Sequence, residues 1–155
     1  MFGAIKNLVS NAKNLQPNKL LENVYELEND KFTELVVTLN TEKQLFEGIN
    51  SLSIPLSDIG GSYTPFTVQI KQAKAQPFDR VTLRDTGDFY NSFDVSIEKD
   101  GFIIESESLK EGIDLTERWG ADIVGLTDMS KEALIFFLKP LIVIVLKNEL
   151  LKNVL

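Results

Sequence analysis

A chain of 155 residues with 43% hydrophobic and 25% charged side chains is long enough to bury a sizeable core and is not composed like a disordered segment. It contains no cysteine and no histidine, which removes disulfides, makes a zinc site very improbable, and leaves no Ser-His-Asp or Cys-His mechanism that this chain could build alone. A formal net charge of −7 disfavours binding to nucleic-acid phosphates, which depends on clustered Lys and Arg.

At the N-terminus, Lys6, Asn7, Ser10 and Asn11 interrupt the apolar run a signal peptide needs, so a cytoplasmic site of synthesis is expected. Ala4, Ile5, Leu8, Val9, Ala12 and Leu15 recur at three and four, predicting a short amphipathic helix stopped by Gln16-Pro17-Asn18. Leu20 to Leu27 suggest a second short element. Asp30 would cap the next helix, Lys31 to about Ile49, with Phe32, Leu35, Val36, Leu39, Phe46 and Ile49 on one face; a strand over Leu35 to Leu39 is the alternative. Ser51 to Gly61 reads as a loop, and Gly60-Gly61 lacks the Lys-Ser/Thr and helix-opening context of a phosphate-binding loop. Thr64-Pro65 then opens a helix that should end before Pro77.

From Val81 to Ile97 the expected order is a strand, a tight turn at Asp85-Thr86-Gly87, a short helix burying Phe89, Tyr90 and Phe93, and a second strand with Val95 and Ile97 on one side. Asp85 or Thr86 would cap the helix, and Gly87 would hold the turn at positive φ. Ile97 to Ile104 reads as a hairpin turning at Asp100-Gly101. Leu109 to Trp119 is expected to be helical and ended by Gly120. Asp128 or Ser130 would cap a last helix running to Leu150, which Pro140 should kink or break. Its apolar runs are too short to span a membrane. The predicted fold is α+β: one domain over 1–155, with helices packed on a small antiparallel sheet and a long C-terminal helix. Within it, 1–80 is mainly helical, 81–127 is the strand-turn-helix-hairpin unit and 128–155 the last helix.

Thr86-Gly87-x-Phe89-x-x-Ser92-Phe93, with a hairpin after it, resembles the Thr-Gly-x-Leu-x-x-Ser-Ile element of the virion-morphogenesis and head-tail joining (tail-completion) proteins of tailed bacteriophages. Arg118-Trp119-Gly120 and Gly125-Leu126-Thr127 resemble that family's aromatic-Gly element and its Gly-Leu-Ser opening of the final helix. The resemblance spans approximately Val81 to the C-terminus and marks Thr86, Gly87, Phe89, Ser92, Phe93, Trp119, Gly120, Gly125 and Leu126 as motif residues. It implies a non-enzymatic structural protein of the virion, made in the host cytoplasm and placed at the neck or tail-proximal junction. Its partners would be other copies of itself in a ring and portal, connector or tail proteins. No cofactor, nucleic acid or membrane is expected.

Other readings of the same residues compete. Asp85-Thr86-Gly87 is also the aspartic-protease triplet, with Ile123-Val124-Gly125 as an apolar-apolar-Gly element, and a dimer would be needed to supply the second aspartate; Arg84 before and Asp88 after the triplet do not suit a shared proton. Asp85, Asp88 and Asp94 offer oxygen ligands for Mg²⁺ or Ca²⁺ without the spacing of a calcium loop. Trp119 fits a core anchor better than a ligand platform. Between Asp100 and Glu132 nine acids stand against three bases, a solvated face or one meeting a basic partner. A stand-alone protein-binding module is the remaining alternative. In the last helix, Phe136, Phe137, Leu141, Ile142, Ile144 and Val145 occupy more than one side of the wheel, so some should stay uncovered and form a contact surface.

Overall fold

The computed structural model describes residues 2–98, 101–110, 112–152 and 154, the side chains of Phe2 and Lys110 excepted. Helix α1 (Phe2–Lys13) ends earlier than expected, leaving Leu15 outside it, and Pro17 opens α2 (Pro17–Asn40) at its first turn. The two predicted elements on either side of Glu28-Asn29-Asp30 are one helix with a kink: Glu28 alone leaves helical geometry, at φ −141° and ψ 42°. Asp30 therefore lies inside α2 and caps nothing. The helix widens into a π-type turn over Thr41–Leu45 and stops there, short of Ile49.

The stretch expected as a loop contains a short helix α3 (Leu56–Gly60), followed by α4 (Pro65–Ala73). Thr64 caps α4 as predicted, its hydroxyl accepting from the Thr67 N–H at 3.2 Å. After α5 (Asp88–Asn91), strands β1 (Asp94–Glu98) and β2 (Gly101–Glu105) pair antiparallel, with Val95 opposite Ile104 and Ile97 opposite Phe102. The expected Asp100-Gly101 turn lies partly outside the described residues, since Asp100 is not among them.

Leu109 to Trp119 is not one helix. Leu109–Lys110 (β3) and Ile113–Asp114 (β4) form a small hairpin, and only Leu115–Trp119 (α6) is helical. Gly112, at φ 82°, supplies the reversal, and a glycine inside a helix is in any case disfavoured. Asp114 caps α6, accepting from the Thr116 N–H at 2.8 Å and from the hydroxyls of Thr116 and Ser108. These hydroxyls, Thr116 first, hold its carboxyl below the usual carboxylate range. The last helix, α7 (Asp128–Leu151), runs through Pro140 without interruption, so Pro140 does not break it. Its cap is Thr127 rather than Asp128 or Ser130, with the Thr127 hydroxyl accepting from the Ser130 N–H at 3.1 Å.

Two apolar clusters hold these elements together. In one, Phe32, Val36 and Leu39 of α2 meet Val95 of β1, Leu126 and Leu134, with Phe32 edge-on to both Tyr25 and Phe102. The other gathers Leu45, Leu56, Val81, Phe89, Tyr90, Phe93, Leu115, Trp119 and Ile123. Val37 and Ile104 pack against both. The architecture is α+β, a small antiparallel sheet against α2 with α7 alongside. No helix among the described residues is long and apolar enough to cross a membrane.

Candidate assembly surface

The segment leading into α5 is not a strand. Val81 and Thr82 are buried, yet Leu83 sits at φ 54° and no partner strand is present among the described residues. Side chains replace the missing ladder. The Thr82 N–H donates to the Tyr63 hydroxyl at 3.0 Å, the Tyr90 hydroxyl donates to the Thr82 carbonyl at 2.6 Å, Lys71 Nζ to the Arg84 carbonyl at 2.6 Å and Gln76 Nε2 to the Asp85 carbonyl at 2.8 Å. Burial raises the Tyr90 phenol far above its ordinary range, so it stays a donor. A backbone pinned at so many points keeps a left-handed leucine that sterics disfavour.

Gly87 has φ 99° and occupies the N-cap position of α5. The Thr86 hydroxyl accepts from the Asp88 N–H at 3.5 Å, a long contact to the first N–H of the helix, and donates to Asp88 Oδ2 at 2.6 Å. A Cβ on Gly87 would have room, its nearest neighbour being Asn91 Nδ2 at 3.7 Å, so the glycine is there for its backbone angle. Ser92 Oγ donates to the Phe89 carbonyl at 2.7 Å and accepts from the Glu107 N–H at 2.9 Å, tying α5 to the chain after β2. Asp85 pairs with Lys74 at 2.7 Å. Asp94 opens β1, and among the described residues no three acidic side chains converge as a metal site.

The second motif is held by two residues that sequence reasoning passed over. Asn40 Nδ2 donates to the Ile123 carbonyl at 3.1 Å while its Oδ1 accepts from the Gly125 N–H at 2.7 Å. Gln44 Nε2 donates to the Gly125 carbonyl at 2.8 Å while its Oε1 accepts from the Thr127 N–H at 2.8 Å. Both amides are fully buried, and together they read residues 123–127 as a neighbouring strand would. The signal was present: Asn40 and Gln44 continue the four-residue spacing of Phe32 and Val36, so amides occupy core positions.

Trp119 is a core residue, with Arg118 stacked over its ring at 4.5 Å and donating to the Gly60 carbonyl. Gly60 lies so close that a Cβ there would come within 2.2 Å of Trp119 Nε1. That indole N–H is buried without a hydrogen-bond partner among the described residues. Gly120 follows at φ 82°. Phe89, Phe93 and Trp119 thus converge in one cluster, while Leu126 joins the other beside Leu134.

The second motif fixes the head of α7, and the body of that helix packs on α2 and α1. Its inner side buries Leu134 and Val145, and Phe137, Leu141 and Ile142 are half-buried. The outer side is uncovered: Phe136 is 79% exposed and Met129 74%, and Ile135, Val143, Ile144 and Leu151 are about half exposed. Of the six residues expected to include a contact surface, Phe136 and Ile144 lie in the open, whereas Val145 belongs to the interior. No protein-family model, curated protein or solved structure matches the chain.

Proposed function

We propose that the chain is a structural subunit of a tailed-phage virion, acting at the neck or head-tail junction through protein-protein contacts made by the outer face of α7. The observation that carries this reading is the set of large apolar side chains left open along a helix that is otherwise firmly seated, with Phe136 at its middle. Exposed apolar patches of this kind mark contact sites on soluble proteins. The resemblance of Thr86-Gly87-x-Phe89-x-x-Ser92-Phe93, Trp119-Gly120 and Gly125-Leu126 to head-tail joining proteins supplies the class of partner: portal, connector or tail proteins, and other copies in a ring.

The motif residues serve as scaffold in this reading, because they bury or pin the chain and leave α7 to present its face. In a phage lysate the protein should sediment with virions and bind a portal, connector or tail protein. Phe136→Asp should abolish that binding while circular dichroism stays unchanged. Absence from virions, together with no binding to any of the three, would refute it.

A further inference from the structure

The geometry points to a specific occupant of the α7 face: a second copy of this chain, its α7 laid antiparallel against the first about a two-fold axis near Pro140. Met129, Ala133, Phe136, Pro140, Val143 and Lys147 alternate at spacings of four and three, the seam of a helix pair, and every one of them is exposed. Ile144 and Leu151, also exposed, widen the seam along one margin. A large apolar side chain at this exposure presents on the order of 100 Å². Two such seams therefore bring together on the order of 1,000 Å², about the lower bound for a specific interface.

Charge favours one direction. Lys147 is the one charged residue in the seam, Glu132 borders it near the other end, and Lys139, exposed on the same margin as Glu132, sits beside the centre, where the two copies can splay into solvent. A parallel pair in register would set Lys147 against its own copy, whereas an antiparallel pair centred on Pro140 sets it near Glu132 of the second chain. The two lie at nearly equal distances on either side of the centre, so the contact is made twice and the surface is self-complementary, as a two-fold interface requires. This inference rests on the reading of α7 as the contact face and names what covers it first.

Sedimentation of the wild-type chain at about 100 μM should show a dimer. Glu132→Lys and Lys147→Glu should each weaken it about tenfold, and the double exchange should restore it. The chain has no cysteine of its own, so a mixture of Met129→Cys and Leu151→Cys chains should give a mixed disulfide and neither variant alone a disulfide dimer. A monomeric wild type, self-linking of Met129→Cys, or no rescue by the double exchange overturns the inference. A monomer that still binds a portal, connector or tail protein through Phe136 overturns the dimer and leaves the virion reading standing. A dimer that binds none of them and is absent from virions does the reverse.

Discussion

Ile144 and Val145 are consecutive β-branched residues of one helix, yet Val145 is 4% exposed beside Asn23, Glu26 and Leu27 of α2 while Ile144 is 48% exposed. At the end of α2, where it meets the segment leading into that helix, the usual preference is inverted, for Asn40 and Gln44 are fully buried. Burial here follows the partners that geometry makes available. The amides lie inside because four backbone groups of residues 123–127 need them. The apolar outer face lies open because, among the described residues, no element passes over it.

The sharpest way to test that contrast is to put the same charge at both neighbours. Val145→Asp should cost more than about 3 kcal/mol, since an unpaired carboxylate would be buried, whereas Ile144→Asp should leave the thermal midpoint nearly unchanged and lower self-association. Equal effects on melting would break the distinction between inner and outer faces. Next in size, Asn40→Leu or Gln44→Leu removes both amide partners and strands two backbone groups, and should lose about 2–4 kcal/mol in denaturant unfolding. A neutral result would mean the head of α7 is held by packing alone.

Smaller effects probe the scaffold. Gly87→Val should destabilise by about 1–3 kcal/mol, because a β-branched residue fits φ 99° poorly; a melt that matches wild type would contradict the turn. The smallest concerns pH. Asp114 has its folded-state pKa depressed by Thr116 and Ser108, so its contribution is present above the unfolded value and disappears as pH falls through the folded one. The stability gap between wild type and Asp114→Ala should therefore be open at neutral pH and close in acid. A gap that persists at low pH would assign it to something other than the carboxylate.

What could be read from the residues alone was local. The Thr64-Pro65 cap, the short helix burying Phe89, Tyr90 and Phe93, the alternating Val95 and Ile97, and the long last helix each follow from neighbours a few positions apart. What could not be read depends on distant partners. The irregular path of Val81 to Arg84 is set by Tyr63 and Lys71, and Asn40 and Gln44 make sense only beside residues 123–127. Leu109 to Trp119 has helical spacing, but Gly112 turns it into a hairpin. Thr127 prevails over Asp128 and Ser130 as a cap because Gln44 fixes its N–H, leaving the hydroxyl aimed at Ser130. For the contact face, the wheel showed that too many apolar residues shared α7, and only the packing of α2 showed which ones remain outside.

The bonds from Asn11 Nδ2 to the Leu150 and Lys152 carbonyls span 139 and 141 residues, and they set a timetable for synthesis. As the chain leaves the ribosome, α1 and α2 emerge long before the helix that covers them, and closing so long a loop must wait for α7. The nascent chain thus keeps its α2 face open until α7 has emerged and completes this core only then. That same step brings the outer stripe of α7 into place, so no copy presents a finished contact surface before it is itself folded.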